Sequence, residues 1–159
     1  MMHLEADVFQ KFDRQWALVT AGTVAHYNTM TIGWGGLGTL WSRPVATVYV
    51  RPNRYTYEFM EQSDYFTVSF FPEDCRPALS LLGTRSGRDG DKVAQAGLTP
   101  LALEQGVTFR EAETTLLCRK LYWQDLDSAR VPAEVLRQFY ADEPLHRMYI
   151  GEVVEVIGG

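Results

Sequence analysis

Lysine is scarce in this chain, with three residues against twelve arginines. The net charge is −5, so the general electrostatic attraction that nucleic-acid binding needs is missing. Cysteine is as rare. Cys75 and Cys118 make no disulfide framework, and they read as two small buried or half-buried thiols. No Cys-x-x-Cys or His-Glu-x-x-His spacing occurs, so no metal site is expected. No run approaches ~20 apolar residues, so no membrane span is expected. Met1 to Asp7 is acidic and has no apolar signal core, which points to a cytoplasmic protein. Histidine is limited to His3, His26 and His146, and no Ser/His/Asp or Cys/His arrangement can be drawn. An enzyme made from this chain would therefore carry its chemistry in a cofactor.

What is present is a core and a strand pattern. Apolar residues make up 46% and aromatics 13% of 159 residues, enough for a single domain over 1–159. Trp16 to Gly22 is an apolar β-type run, Val24 to Tyr27 reads as a turn, and Thr29 to Ile32 is a short strand. Pro44 to Val50 and Tyr65 to Phe71 are strands rich in β-branched and aromatic residues. Ala112 to Gln124 and Met148 to Ile157 are longer ones. Helices are expected over Tyr55 to Gln62, Asp74 to Leu82 and Pro132 to Tyr140, with a helical turn over Asp91 to Ala96 closed by Gly97. The class is mainly β with short α additions, a barrel or sandwich. Strands this short need closure or a partner to protect their edges, which favours a dimer.

Three stretches carry chemical character. Gly33-Trp-Gly-Gly-Leu-Gly38 matches G-x-G-x-x-G, but Thr39 to Pro44 follows, and proline with a β-rich run forbids the helix that a dinucleotide fold requires. Glu58, twenty residues on, falls in an expected helix instead of at a strand end. So much glycine lets backbone approach something closely. Arg51-Pro-Asn-Arg-Tyr-Thr56 puts two arginines and a threonine at a strand-to-helix junction, where a helix N-terminus already favours phosphate. Gly83 to Lys92 is a polar loop whose backbone N–H groups, with Ser86, Arg88 and Lys92, suit an anion. An acidic chain with local arginine clusters suggests a small anion gripped bidentately.

Taken together, Asn28 to Trp34, Pro44 with Arg51 to Thr56, Phe66 to Pro72, Ser86 to Lys92, Gly97 to Pro100 and Tyr149 to Glu152 make the sequence resemble the flavin reductase-like, FMN-binding split-barrel family, in the branch that includes flavoredoxin. The resemblance covers roughly Trp16 to Val156. It implies a Greek-key split β-barrel forming a homodimer, with FMN at the subunit interface. It implies that Asn28, Thr29, Met30 and Thr31 line the isoalloxazine, with Trp34 nearby. Arg51, Arg54, Tyr55 and Thr56 would hold the ribityl-phosphate end. Ser86, Gly87 and Lys92 would close over the phosphate or the pyrimidine edge. Trp123 and His146 would reach the flavin from the partner subunit. NAD(P)H is the implied electron donor, and a small molecule or a protein the acceptor. Three functions stay open at this point: a reductase, a non-catalytic FMN-binding electron carrier, and a split-barrel dimer that has lost flavin and binds something else.

Overall fold

The computed structural model describes residues 2–158. Its strands all pair antiparallel, in a seven-stranded sheet and a separate two-stranded hairpin. The chain opens with a short helix α1 (Val8–Asp13), whose N-terminus is capped by the Asp7 carboxylate accepting from Gln10 N–H at 3.2 Å. Then come β1 (Ala17–Thr23), β2 (His26–Ile32), β3 (Gly35–Leu40) and β4 (Arg43–Val50). Helix α2 (Tyr55–Gln62) leads to β5 (Tyr65–Phe70). Helices α3 (Arg76–Thr84) and α4 (Lys92–Ala96) precede the hairpin of β6 (Pro100–Leu103) and β7 (Gly106–Phe109). The 12-residue β8 (Thr114–Asp125), helix α5 (Ala133–Phe139) and the 12-residue β9 (Arg147–Gly158) complete it.

The sheet order is β2-β1-β5-β8-β9-β4-β3. Its two outermost strands, β2 and β3, are consecutive in sequence and joined only by Gly33 and Trp34. A sheet whose first and last strands are tied by two residues must coil until they meet, leaving a barrel open along one seam. Gly35 marks the closeness of the seam. A β-carbon there would stand 2.6 Å from the Phe12 ring and 2.9 Å from the Thr47 carbonyl. Register shifts at Leu117/Cys118 and Lys120/Tyr122 bend the long β8–β9 ladder around the barrel.

Strand alternation builds two cores from one strand. Ala17, Val19 and Ala21 of β1 face the barrel interior with Val48, Phe66, Val68, Phe70 and Tyr149. Leu18 faces outward under α3 and α4, with Leu79, Leu82, Val93 and Phe109. Each buried Leu, Val or Phe of these cores contributes about 1.5–3 kcal/mol.

Most expected elements are found with shifted ends. The turn before β2 is only Val24 and Ala25, because His26 and Tyr27 already pair with Thr23 and Gly22. The glycine-rich stretch is the edge strand β3, and no helix follows it. Asp74 to Leu82 is a 3₁₀ turn over Glu73–Cys75 followed by α3, with Pro77 in the first helical turn. Gly97 ends α4 in the left-handed region at φ 78°. Helix α1, strand β3 and the β6–β7 hairpin are additions to the sequence reading. Among the described residues no helix is long and apolar enough to cross a membrane.

Candidate functional site

Two clefts meet along the exposed edge of β2. The first, about 220 Å³, lies between that edge, the N-terminal turn of α2 and the Gly83 to Lys92 segment. The second, about 210 Å³, runs on toward the seam and is bordered by Trp34, Tyr49, Arg51 and His146. Met30, Thr31 and Arg54 line both. A larger hollow of about 770 Å³, between α1 and Arg76, holds none of the candidate residues.

The first cleft is held in shape by contacts between the segments around it. Asn28, buried on β2, donates from Nδ2 to Thr56 Oγ1 at 2.7 Å, which locks the strand to the first turn of α2. Its Oδ1 faces Gly87, where a β-carbon would lie only 2.1 Å away. Thr31 donates to the Leu79 carbonyl, fastening β2 to α3. Ser86 caps the 3₁₀ turn Gly87–Asp89 by accepting from Arg88 N–H. Arg88 lies over the Tyr55 ring and pairs with Glu58 at 2.6 Å.

Cations dominate the junction. Lys92 is only 5% exposed, and its ammonium donates to the carbonyls of Arg85 at 3.1 Å and Leu82 at 3.4 Å. No carboxylate pairs with it among the described residues. Burial first, and the Arg54 guanidinium second, push its pKa down from 10.5 to about 8. Arg54 occupies the N-cap position of α2, is exposed, and makes no side-chain hydrogen bond or ion pair among the described residues. The helix N-terminus beneath it adds partial positive charge. An unpaired guanidinium, a buried ammonium and a helix N-terminus beside one cleft are a donor set for a phosphate.

Arg51 differs from Arg54. Its guanidinium donates to the carbonyls of Phe139 and Pro144 at 3.2 and 3.3 Å and lies 5.2 Å over the Tyr140 ring, so it fastens the α5–β9 connection. That connection carries His146. This imidazole is 7% exposed, sits 5.2 Å from the Trp34 ring, and meets Tyr140 Oη at Nδ1, 2.7 Å away. Burial, then Arg51 and Arg54, lower its pKa to about 4, so it is neutral at physiological pH.

The structure thus brings Asn28, Met30, Thr31, Arg54, Tyr55, Thr56, Ser86, Gly87 and Lys92 to the first cleft, and Trp34, Arg51 and His146 to the second. It separates two others. The Thr29 side chain turns into the sheet, donating to the Val19 carbonyl and meeting Thr20 Oγ1 at 2.8 Å. Strand alternation puts it on the face opposite Asn28. Trp123 is 49% exposed on β8, beside Lys120 and away from both clefts. Sequence reasoning missed Tyr49 and Arg85. Tyr49 lies near the end of β4, two residues before Arg51, and borders the same cleft. Arg85 lies inside the recognised cationic loop.

An antiparallel barrel split along one seam, with a cation-lined cleft on its free edge strand, is the class of β protein that the fold defines. The flavin reductase like domain family matches residues 9–158, and the chain belongs to that family. Solved structures agree on the fold. The FMN-binding domain of a flavin reductases-like enzyme from Shewanella baltica OS155 is 18% identical, with a TM-score of 0.67 over 94% of this chain and 71% of that one. Flavoredoxin from Methanosarcina acetivorans is 19% identical, with a TM-score of 0.71 over 100% of this chain and 75% of that one. Nitrilotriacetate monooxygenase component B from Bacillus cereus is 18% identical, with a TM-score of 0.71 over 91% and 69%. None of the curated proteins matches the chain. The architecture is the FMN-binding split barrel.

Proposed function

We propose that the two joined clefts along the β2 edge hold FMN, its phosphate end in the first, and that the protein is an NAD(P)H-dependent flavin reductase-like oxidoreductase passing electrons to a small acceptor. The observation that carries this is Arg54. It is a guanidinium at a helix N-terminus, next to a buried Lys92, and among the described residues neither has a carboxylate partner for its charge. A phosphate of charge near −2 supplies that partner. The β2 edge beside it offers backbone N–H and C=O groups that no strand takes up, which suit the polar rim of a flat ring.

In this arrangement Arg54 and the first turn of α2, with Tyr55 and Thr56, face the phosphate. Asn28, Met30 and Thr31 run along the ring, and Ser86, Gly87 and Lys92 close the remaining side. Bound FMN would supply hydride transfer at its N5. The chain's own task is to bind, align and shield, so no acid–base pair is needed. Lys92 also favours negative charge gathering near it. A second copy of the chain would cover the open edge and bring its exposed Trp123 to the groove, in a homodimer with FMN at the interface.

The test is an anaerobic visible spectrum of the protein with FMN, before and after NADH and then NADPH. Bound flavin that bleaches makes the protein a reductase and identifies its donor. Bound flavin that bleaches only with dithionite makes it an electron carrier for protein partners. Absence of any flavin spectrum perturbation overturns both.

A further inference from the structure

We propose that the hollow between α1 and the start of α3 binds a small zwitterion of the aromatic α-amino acid type, its two charges met by side chains of opposite sign and its ring by Phe9. The hollow measures about 770 Å³, within the size range of small-molecule sites. It shares no residue with the two clefts along β2, so it stands apart from the flavin reading.

Charges of both signs line this hollow without neutralising one another. Asp13 and Arg14 come from the end of α1, and Glu73 and Arg76 from the turn that starts α3. All four are exposed, and among the described residues none enters an ion pair. The fifth charged residue there, Asp7, is taken up in capping α1. Two guanidiniums and two carboxylates make the set neutral overall. A simple anion loses to the carboxylates what it gains from the arginines, and a simple cation does the reverse. A zwitterion sets each of its ends against the opposite sign. Arg76 is held in place for this, with its guanidinium 4.1 Å over the Trp16 ring. Trp16 itself holds φ 67°, a left-handed backbone that strains a bulky residue and persists where the surroundings require it. Its neighbour Gln15 borders the hollow half-buried, and Gln15 Oε1 is the one sealed, unpartnered side-chain polar atom among the described residues. A bound ammonium supplies the donor that this amide lacks once the side chain turns toward it. Phe9, also on the lining, is 88% exposed, the most exposed large apolar side chain among the described residues. A ring left open at the rim of a charged hollow offers its face to a second ring, which narrows the zwitterion to an aromatic one.

The experiment titrates L-phenylalanine into the full chain, with and without FMN, following the indole NMR signal of Trp16 beneath Arg76. Two matched compounds serve as comparisons: 3-phenylpropionate, which lacks the ammonium, and phenethylamine, which lacks the carboxylate. Saturable shifts with phenylalanine are expected, and each comparison should bind about fivefold more weakly, the loss of one exposed charge contact. Arg76→Glu should turn the preference from phenylalanine to phenethylamine. Asp13→Asn, on the other helix, should weaken phenylalanine and phenethylamine and spare 3-phenylpropionate. Phe9→Ala should weaken all three alike. Equal affinity for phenylalanine and 3-phenylpropionate, a preference for phenylalanine that survives Arg76→Glu, or no saturation at about 10 mM, ten times a millimolar Kd, would each overturn the site. Binding that appears only with FMN present would overturn its separateness, whereas the same affinity in both forms is the expected result.

Discussion

The side-chain oxygen of Asn28 sits 2.1 Å from the point where a β-carbon on Gly87 would stand, so strand β2 and the Ser86 to Asp91 loop approach too closely for a larger residue to enter without movement. Gly87→Ala therefore has to push the loop off the strand or break the bond from Asn28 Nδ2 to Thr56. Overpacking of this kind costs about 1–3 kcal/mol. We expect FMN affinity to fall roughly 5- to 150-fold, the same range expressed as binding. A flavin titration matching that of the native chain would show that the contact yields without disturbing the cleft.

How far the sequence revealed this follows from how local each signal is. The strands over Pro44 to Val50 and Tyr65 to Phe71, and the helix over Tyr55 to Gln62, were legible because period and residue type agree there. The glycine-rich edge β3 was not, since its strand character comes from pairing with β4 and from Gly35 fitting against Phe12, both set by distant residues. The β6–β7 hairpin, four residues a side, is too short to show a period. At the site, Arg54 and Lys92 could be nominated from a motif, but not what separates Arg54 from Arg51. That depends on Phe139 and Pro144 reaching back across some ninety positions. Thr29 lies away from both clefts, which a motif cannot show, because its hydroxyl is taken up by Thr20 and the Val19 carbonyl inside the sheet.

Thr29 supplies a second prediction. Its hydroxyl meets only Thr20 and the Val19 carbonyl, both buried. Thr29→Val leaves the Thr20 hydroxyl short of a partner, at a cost of about 1–3 kcal/mol in stability. Flavin affinity should not change, because the side chain is sealed within the sheet and borders neither cleft. Denaturant melts beside flavin titrations measure both, and an affinity loss without a stability loss would put Thr29 back at the ligand.

Lys92 makes stability depend on pH in a definite direction. Its folded pKa lies near 8, below the 10.5 of the unfolded chain, so the unfolded chain binds the proton more tightly between those values. The cost of the buried charge is fully present below pH 8 and is relieved as pH rises toward 10.5. At about 1.4 kcal/mol per pH unit, that relief amounts to at most about 3.5 kcal/mol. Comparison with Lys92→Met cancels the other titrating groups. The stability difference between the two chains should shift in favour of the native chain across this window. A flat difference would mean that the ammonium is solvated. A bound phosphate counters the same charge, so flavin affinity should decline above pH 8.

The two arginines of the Arg51 to Thr56 stretch should fail in opposite ways. Among the described residues Arg54 touches no other side chain by hydrogen bond or ion pair, so Arg54→Ala should leave stability within about 0.5 kcal/mol. If it grips the phosphate, that charge-assisted contact is worth roughly 1.5–3 kcal/mol, and FMN affinity should drop about 10- to 150-fold. Arg51 holds two carbonyls and the Tyr140 ring, so Arg51→Ala should destabilise the α5–β9 connection by about 1–3 kcal/mol and loosen the segment that carries His146. Its effect on flavin should be smaller and indirect. Melting curves and flavin titrations on both variants decide the matter. Equal affinity losses would make both arginines phosphate ligands, and an Arg51→Ala chain as stable as the native one would remove its structural role.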